Sequence, residues 1–197
     1  MPDGAASIEL ALWRDPAGQA RTRFAAEVRT GLLRAAYSRL PESAEGATVE
    51  RNQWGKPVIE GAHLSLTHCG PWLAAAASRE RIGIDIEVET ERNFSRIARR
   101  LEWPQQVEPM STERFYELWT IWEAALKAQR REARRLMASL PEVLAPTGTH
   151  PFSRQGVADG WWAATGHLVP GMAIALVGRG ALGNITVTHL AAPPPQA

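Results

Sequence analysis

Apolar and polar positions alternate with a period of two over residues 7–13 (SIELALW), which predicts a strand with one face turned inward. Over residues 19–40 the period changes. Phe24, Val28, Leu32, Ala35 and Ala36 recur at helical spacing, Arg21, Arg23, Arg29 and Arg34 spread around the rest, and Pro41 stops the pattern. Short strands are expected at 48–51 and 58–59, around the turn Trp54-Gly55-Lys56-Pro57. Residues 63–67, 72–78 and 82–88 read as three more strands, separated by Cys69-Gly70-Pro71 and Arg79-Glu80-Arg81. Helical spacing returns at 93–101. It returns again from Ser111, whose hydroxyl suits an N-cap, to about residue 140, carried by Phe115, Leu118, Trp119, Trp122 and Leu126. The Gly- and Pro-rich stretch 144–156 is expected as a loop, and 160–165, 171–178 and 184–190 as closing strands. The tail AAPPPQA is expected to be disordered.

This order predicts an α+β chain of two similar-sized lobes meeting near residues 80–90. The division expected is an N-terminal lobe at 1–80, a C-terminal lobe at 81–190 and a tail at 191–197. The chain has 197 residues, 45% of them hydrophobic and 22% charged, an ordinary globular balance. Its 22 Lys and Arg against 21 Asp and Glu give a net charge of +1, so nothing in the composition points to nucleic acid or an anionic membrane. The single cysteine, Cys69, excludes an internal disulfide framework and fits a reducing compartment. The start, MPDGAAS, has no basic or apolar leader pattern, and apolar runs such as 72–77 fall far short of the ~20 residues of a membrane span. A cytoplasmic location is expected.

Only Lys56 and Lys127 among the basic residues are lysine; all the others are arginine. A lysine kept against that bias is a candidate for a position that needs a compact ammonium rather than a planar fork. In Gly83-Ile84-Asp85-Ile86-Glu87 the two acids are two apart on a strand and share one face. That pattern suits either a solvated strand face or a site for a hard cation such as Mg²⁺, which oxygen ligands favour. Glu123 and Lys127 stand four apart on a helix amid apolar and aromatic residues, which favours a partly enclosed acid–cation pair over an exposed one. Lys56 in its Gly-Pro turn, and His68 at the end of Ser65-Leu66-Thr67-His68, are each either ordinary structural residues or phosphate contacts.

Taken in order, WGKPVI, HLSLTH, RIGIDIE and LWTIWEAALK resemble the 4′-phosphopantetheinyl transferase superfamily, specifically its surfactin-synthetase-activating (Sfp) type, over roughly residues 21–127. The resemblance implies a pseudo-dimer of two similar α/β lobes with coenzyme A in the cleft between them. It implies that Asp85, Glu87 and Glu123 hold Mg²⁺ against the pyrophosphate of coenzyme A, and that Lys127 neutralises the leaving diphosphate. His68, Lys56 and Arg21 would meet the nucleotide phosphates, with Ser65 and Thr67 on the matching strand. The implied reaction moves phosphopantetheine to a serine of an apo acyl or peptidyl carrier protein. Glu123 would be metal ligand, base or both, and a monomer is expected of an internally duplicated fold.

Besides a short first lobe, three features depart from that pattern. Trp122 stands where the family has lysine, Thr67 stands where it has serine, and the Gly-rich stretch after the second lysine is replaced by Ala128–Arg135. A non-catalytic relative that binds coenzyme A or a carrier protein therefore remains an alternative. A metal-dependent nuclease leaves the Gly-Lys-Pro and Thr-His elements unexplained, and a Ser65/His68 hydrolase lacks a nucleophile elbow. The arginines at 130, 131, 134 and 135 suit either a solvated helix face or a docking surface for an acidic carrier protein.

Overall fold

The computed structural model describes residues 6–16, 26–53, 55–101, 110–129, 131–140 and 152–191. The first sheet contains β1 (Ala6–Arg14), β2 (Glu50–Arg51), β3 (Pro57–Ile59), β4 (Ala62–Cys69) and β5 (Trp72–Ser78). The second contains β6 (Ile82–Val88), β7 (Phe152–Gly156), β8 (Trp161–Val169) and β9 (Met172–Arg179). Helix α1 (Ala26–Tyr37) follows β1, and α2 (Phe94–Leu101), α3 (Thr112–Gln129) and α4 (Ala133–Ala138) lie between β6 and β7. The last strand, β10 (Leu182–Leu190), returns to the first sheet, whose order is β10-β1-β5-β4-β3-β2. Every pairing is antiparallel except β1 with β10.

Strand alternation sorts the apolar residues into layers. Ile8, Leu10 and Leu12 of β1 meet Ile82, Ile84 and Ile86 of β6, with Ile174 and Leu176, in a core between the two sheets. The opposite face of the first sheet, including Ala11, Trp13 and Leu73, packs on Leu32 and Leu33 of α1. The opposite face of the second, including Ala173, Ala175 and Val177, packs on Leu118, Ile121 and Ala125 of α3. The layers run helix, sheet, sheet, helix, and the mixed α+β expectation is met. The order β1-β5-β4-β3 recurs as β6-β9-β8-β7, so in both halves the first strand pairs with the last.

Three sequence expectations are corrected. β10 was placed with residues 81–190, yet it lies against β1, pairing Ile8 with Ile185 and Leu10 with Val187. The physical reason is the otherwise open edge of β1, whose apolar residues gain cover from Ile185 and Val187. The expected loop at 144–156 ends in a strand, because Phe152 is fully buried in the inter-sheet core while β7 pairs with β8; residues 141–151 lie outside the described set. The single helix expected to residue 140 is two. After Ala128 the chain offers no apolar residue until Ala133, and a turn lets Ala133, Leu136 and Met137 rejoin the core of α3. The first part of the helix expected at 19–40, with Arg21 and Phe24, lies outside the described residues, as do Trp54 and 192–197.

Gly83 sets how closely α3 lies on β6. A Cβ there would stand 2.0 Å from the Ala124 carbonyl oxygen and 2.7 Å from the Ala128 nitrogen, so only glycine admits the helix backbone. Replacing Gly83 with alanine is expected to cost about 1–3 kcal/mol or more, since backbone rather than a flexible side chain must move. Urea unfolding checks this; unchanged stability would contradict the packing described.

Candidate functional site

β6 is an edge strand of the second sheet, and its free edge faces β4 of the first. Side chains, rather than a backbone ladder, close the junction. Ser65, Thr67 and Cys69 alternate on one face of β4. The Ser65 hydroxyl accepts a hydrogen bond from the Ile84 N–H at 3.1 Å, and Cys69 Sγ accepts one from the Val88 N–H at 3.3 Å. Between them the Thr67 hydroxyl donates to Asp85 Oδ1 at 2.8 Å. Ser65 and Thr67, on the strand that the resemblance matches to coenzyme A contacts, are buried, with the Ser65 hydroxyl on the β6 backbone, whose edge groups need partners, and the Thr67 hydroxyl on Asp85.

Asp85 is 5% exposed. Lys127, reaching over from α3, puts its Nζ 2.6 Å from Asp85 Oδ1 and 3.1 Å from the Ile84 carbonyl oxygen. The acid–cation pair expected between Glu123 and Lys127 is therefore made with Asp85 instead, since a buried carboxylate gains more from an ammonium than a partly buried one does. Burial, with Glu87 adding repulsion, lifts the Asp85 carboxyl from its ordinary 3.8 to about 6, against the opposing pull of Lys127 and Thr67. Its second oxygen, Oδ2, is buried and has no partner among the described residues.

Glu87 shares that face of β6. Its Oε1 accepts from the Trp119 indole N–H at 3.3 Å, and its Oε2 accepts from the Cys69 thiol at 3.4 Å. Burial pushes the Cys69 thiol pKa up, and Glu87 and Asp85 reinforce this. Trp119, Glu123 and Lys127 are i, i+4 and i+8 on α3, so Glu123 lies on the helix face between the residues that reach Glu87 and Asp85. Glu123 is partly buried and makes no hydrogen bond or ion pair among the described residues. Trp122 packs its ring against the α3 core.

Two basic side chains flank the carboxylates. His68 is exposed at the end of β4; its imidazole is held below its ordinary pKa by partial burial, then by Lys127 and Arg29, with Glu87 opposing. Lys56 reaches α3 and donates to the Lys127 carbonyl oxygen at 3.0 Å. Burial, and then Arg81, lower the Lys56 pKa. A cavity of about 480 Å³ opens between the β3–β4 hairpin and the end of α3, lined in part by Lys56, His63, Arg81 and Gln129. A larger cavity of about 710 Å³, lined in part by Tyr37, Glu42 and Glu60, shares none of the carboxylates just described.

Asp85 and Glu87 fit a hard divalent cation in donor type, and the unpartnered buried Oδ2 of Asp85 is a vacant acceptor of the kind such an ion takes. The three-carboxylate set is not closed: among the described residues no three His, Cys, Asp or Glu side chains are gathered closely enough to hold a metal. Sequence reasoning did not assign roles to Trp119, Cys69, Arg29 or Arg81. The i, i+4, i+8 stripe of α3 carried a signal for Trp119, and the Ser65, Thr67, Cys69 alternation one for Cys69. The other two depend on long-range packing.

Residues 81–159 match the family model of the 4′-phosphopantetheinyl transferase superfamily. Over 92 residues, 43% of this chain, the sequence is 32% identical to the 4′-phosphopantetheinyl transferase gsp of Aneurinibacillus migulanus. The chain spans 38% of that relative's length. The chain is thus similar to this superfamily over part of its length, and the segment matched by the family model includes Asp85, Glu87, Glu123 and Lys127. No described helix is long and apolar enough to cross a membrane.

The raised Asp85 pKa has a definite sign for stability. The folded state binds this proton more tightly than the unfolded chain does, so the carboxyl costs nothing below about pH 4 and costs progressively more as pH rises toward 6. Relative to Asp85→Asn, the wild type is expected to lose about 2–3 kcal/mol of unfolding free energy between pH 4 and pH 7. Parallel urea titrations at the two pH values measure this, and a pH-independent difference would contradict the burial argument.

Proposed function

We propose that this protein transfers the 4′-phosphopantetheine group of coenzyme A to a serine of an apo acyl or peptidyl carrier protein, releasing adenosine 3′,5′-bisphosphate. The observation that carries the reading is the buried Asp85, bound by Lys127 and Thr67 beside Glu87, with one oxygen vacant, on a segment that matches the superfamily. The repeated strand order supports a pseudo-dimer with the reaction in the cleft between its halves. We place the activity in the cytoplasm, on a monomer, with neither nucleic acid nor membrane as partner.

Phosphoryl transfer depends mainly on positioning and on neutralising charge. The serine oxygen forms a bond to the phosphorus that bears pantetheine, and the bond from that phosphorus to the bisphosphate oxygen breaks. Lys127 neutralises the leaving group, and its anchorage on Asp85 and Ile84 keeps the ammonium in register. His68 and Arg29, with Arg21, meet the nucleotide phosphates. An imidazole held neutral by its surroundings takes up a proton when an anion arrives beside it. Glu123, on the α3 face between Trp119 and Lys127, receives the serine proton. Mg²⁺ would be held by Asp85 and Glu87, joined by Glu123, and would supply neutralisation of the diphosphate charge.

Trp122 favours one second reading, a catalytically impaired relative, because a ring packed on the core supplies no charge where the family has lysine. Intact-protein mass spectrometry of apo carrier proteins incubated with the protein, coenzyme A and Mg²⁺ separates the two. The expected result is a phosphopantetheine mass gain that chelator abolishes and that falls by about 10²-fold or more in Asp85→Ala and Glu123→Ala. Full activity in either variant would remove the site assignment. Transfer seen only with Trp122→Lys would establish the impaired relative.

A further inference from the structure

The turn that carries Lys56 is built to hold one side chain in place. Gly55, at φ 75°, donates its N–H to the Asn52 carbonyl at 2.8 Å, and the Asn52 N–H donates to the Lys56 carbonyl at 3.0 Å. The Asn52 side-chain oxygen accepts the Lys56 N–H at 3.0 Å, and the Arg51 guanidinium donates to the Gly55 carbonyl at 2.7 Å. From this laced turn the ammonium reaches across to α3 and donates to the carbonyl of Lys127. That carbonyl lies in the last turn of the helix, where backbone acceptors lack intrahelical partners and a positive charge is favoured by the helix dipole.

The two lysines of the chain thus form one line of contacts. Lys56 holds the backbone of Lys127, and the Lys127 ammonium holds Asp85 Oδ1 and the Ile84 carbonyl. We propose that Lys56 is a positioning residue: by fixing the end of α3 at the Lys127 carbonyl, it keeps the Lys127 ammonium on Asp85. The family resemblance gave Lys56 a phosphate contact, whereas here one donor of its ammonium is taken by a protein carbonyl. Partial burial opposes the charged form and pushes its pKa down, a cost that a purely ligand-facing, solvated lysine would avoid. A single carbonyl in a half-buried place is met by a compact ammonium, whereas the wider planar fork of a guanidinium is shaped for two acceptors side by side. This accounts for a lysine persisting at this position in a chain whose other basic residues, Lys127 apart, are all arginine.

The two roles of Lys56 predict opposite behaviour for Lys56→Arg. A phosphate contact accepts arginine, whose fork suits phosphate, while the brace on α3 does not. Lys56→Met and Lys56→Arg should be compared with wild type by amide hydrogen exchange of residues 126–129, by calorimetric affinity for adenosine 3′,5′-bisphosphate, and by kcat and KM for coenzyme A. Both variants are expected to exchange about tenfold faster in the last turn of α3 and to lose about tenfold in kcat, the scale of one charge-assisted hydrogen bond. The affinity for the bisphosphate and KM are expected to stay within about twofold, since uniform binding is untouched. A tenfold loss of affinity with unchanged exchange, normal behaviour of Lys56→Arg, or no change in any readout would each overturn the proposal. The kinetic arm rests on the transferase reading. If wild type modifies no carrier protein that reading fails, and the exchange and affinity measurements still decide the role of Lys56.

Discussion

A carboxylate taken almost wholly out of water is stable in its charged form only where other groups replace the solvent, and Asp85 is such a group. Its Oδ1 has an ammonium and a hydroxyl, and its Oδ2 has no partner among the described residues. Burial leaves the carboxyl with a pKa of about 6 despite the pull of Lys127 and Thr67, so it releases its proton at neutral pH yet gains from a further cation. Each surrounding element serves this point. β4 supplies Thr67, α3 supplies Lys127, the β2–β3 turn supplies Lys56 behind Lys127, and β6 sets Glu87 beside the charge.

The fold brings those elements together by keeping their contact surfaces small. Gly83 admits α3, and the small residues Ala124 and Ala128 let the helix backbone lie close on β6. β4 meets the edge of β6 through serine, threonine and cysteine, which are short enough to reach backbone groups across the junction. Bulkier residues at these positions would part the sheets and carry Thr67 and Lys127 away from Asp85. Behind the junction the isoleucines of β6 enter the inter-sheet core, so the strand holding the carboxylates is fixed from its other face.

Much of this was legible in local pattern. The period of two put Asp85 and Glu87 on one face, helical spacing found the body of α3, and the scarcity of lysine singled out Lys56 and Lys127. What needed the fold was the choice among long-range partners. An i, i+4 spacing offers Glu123 to Lys127, but burial gives Asp85 the stronger claim. The hydroxyls of Ser65 and Thr67 look available in the sequence; the Ile84 N–H on the edge of β6 takes the first and the Asp85 carboxylate the second. Residues 184–190 read as a strand, the body of β10 (Leu182–Leu190), yet nothing local states that β1 would be its neighbour. The ring of Trp122 joins the apolar helical pattern, which is where the structure leaves it.

The most direct test of the account is a crystal structure with coenzyme A and Mn²⁺, with the metal located by anomalous scattering. The account predicts an anomalous peak within coordination distance of Asp85 Oδ2 and a Glu87 oxygen, with the diphosphate of coenzyme A beside the Lys127 ammonium. Coenzyme A bound elsewhere, for instance in the cavity beside Tyr37 and Glu42, or a metal held without Asp85, would contradict it.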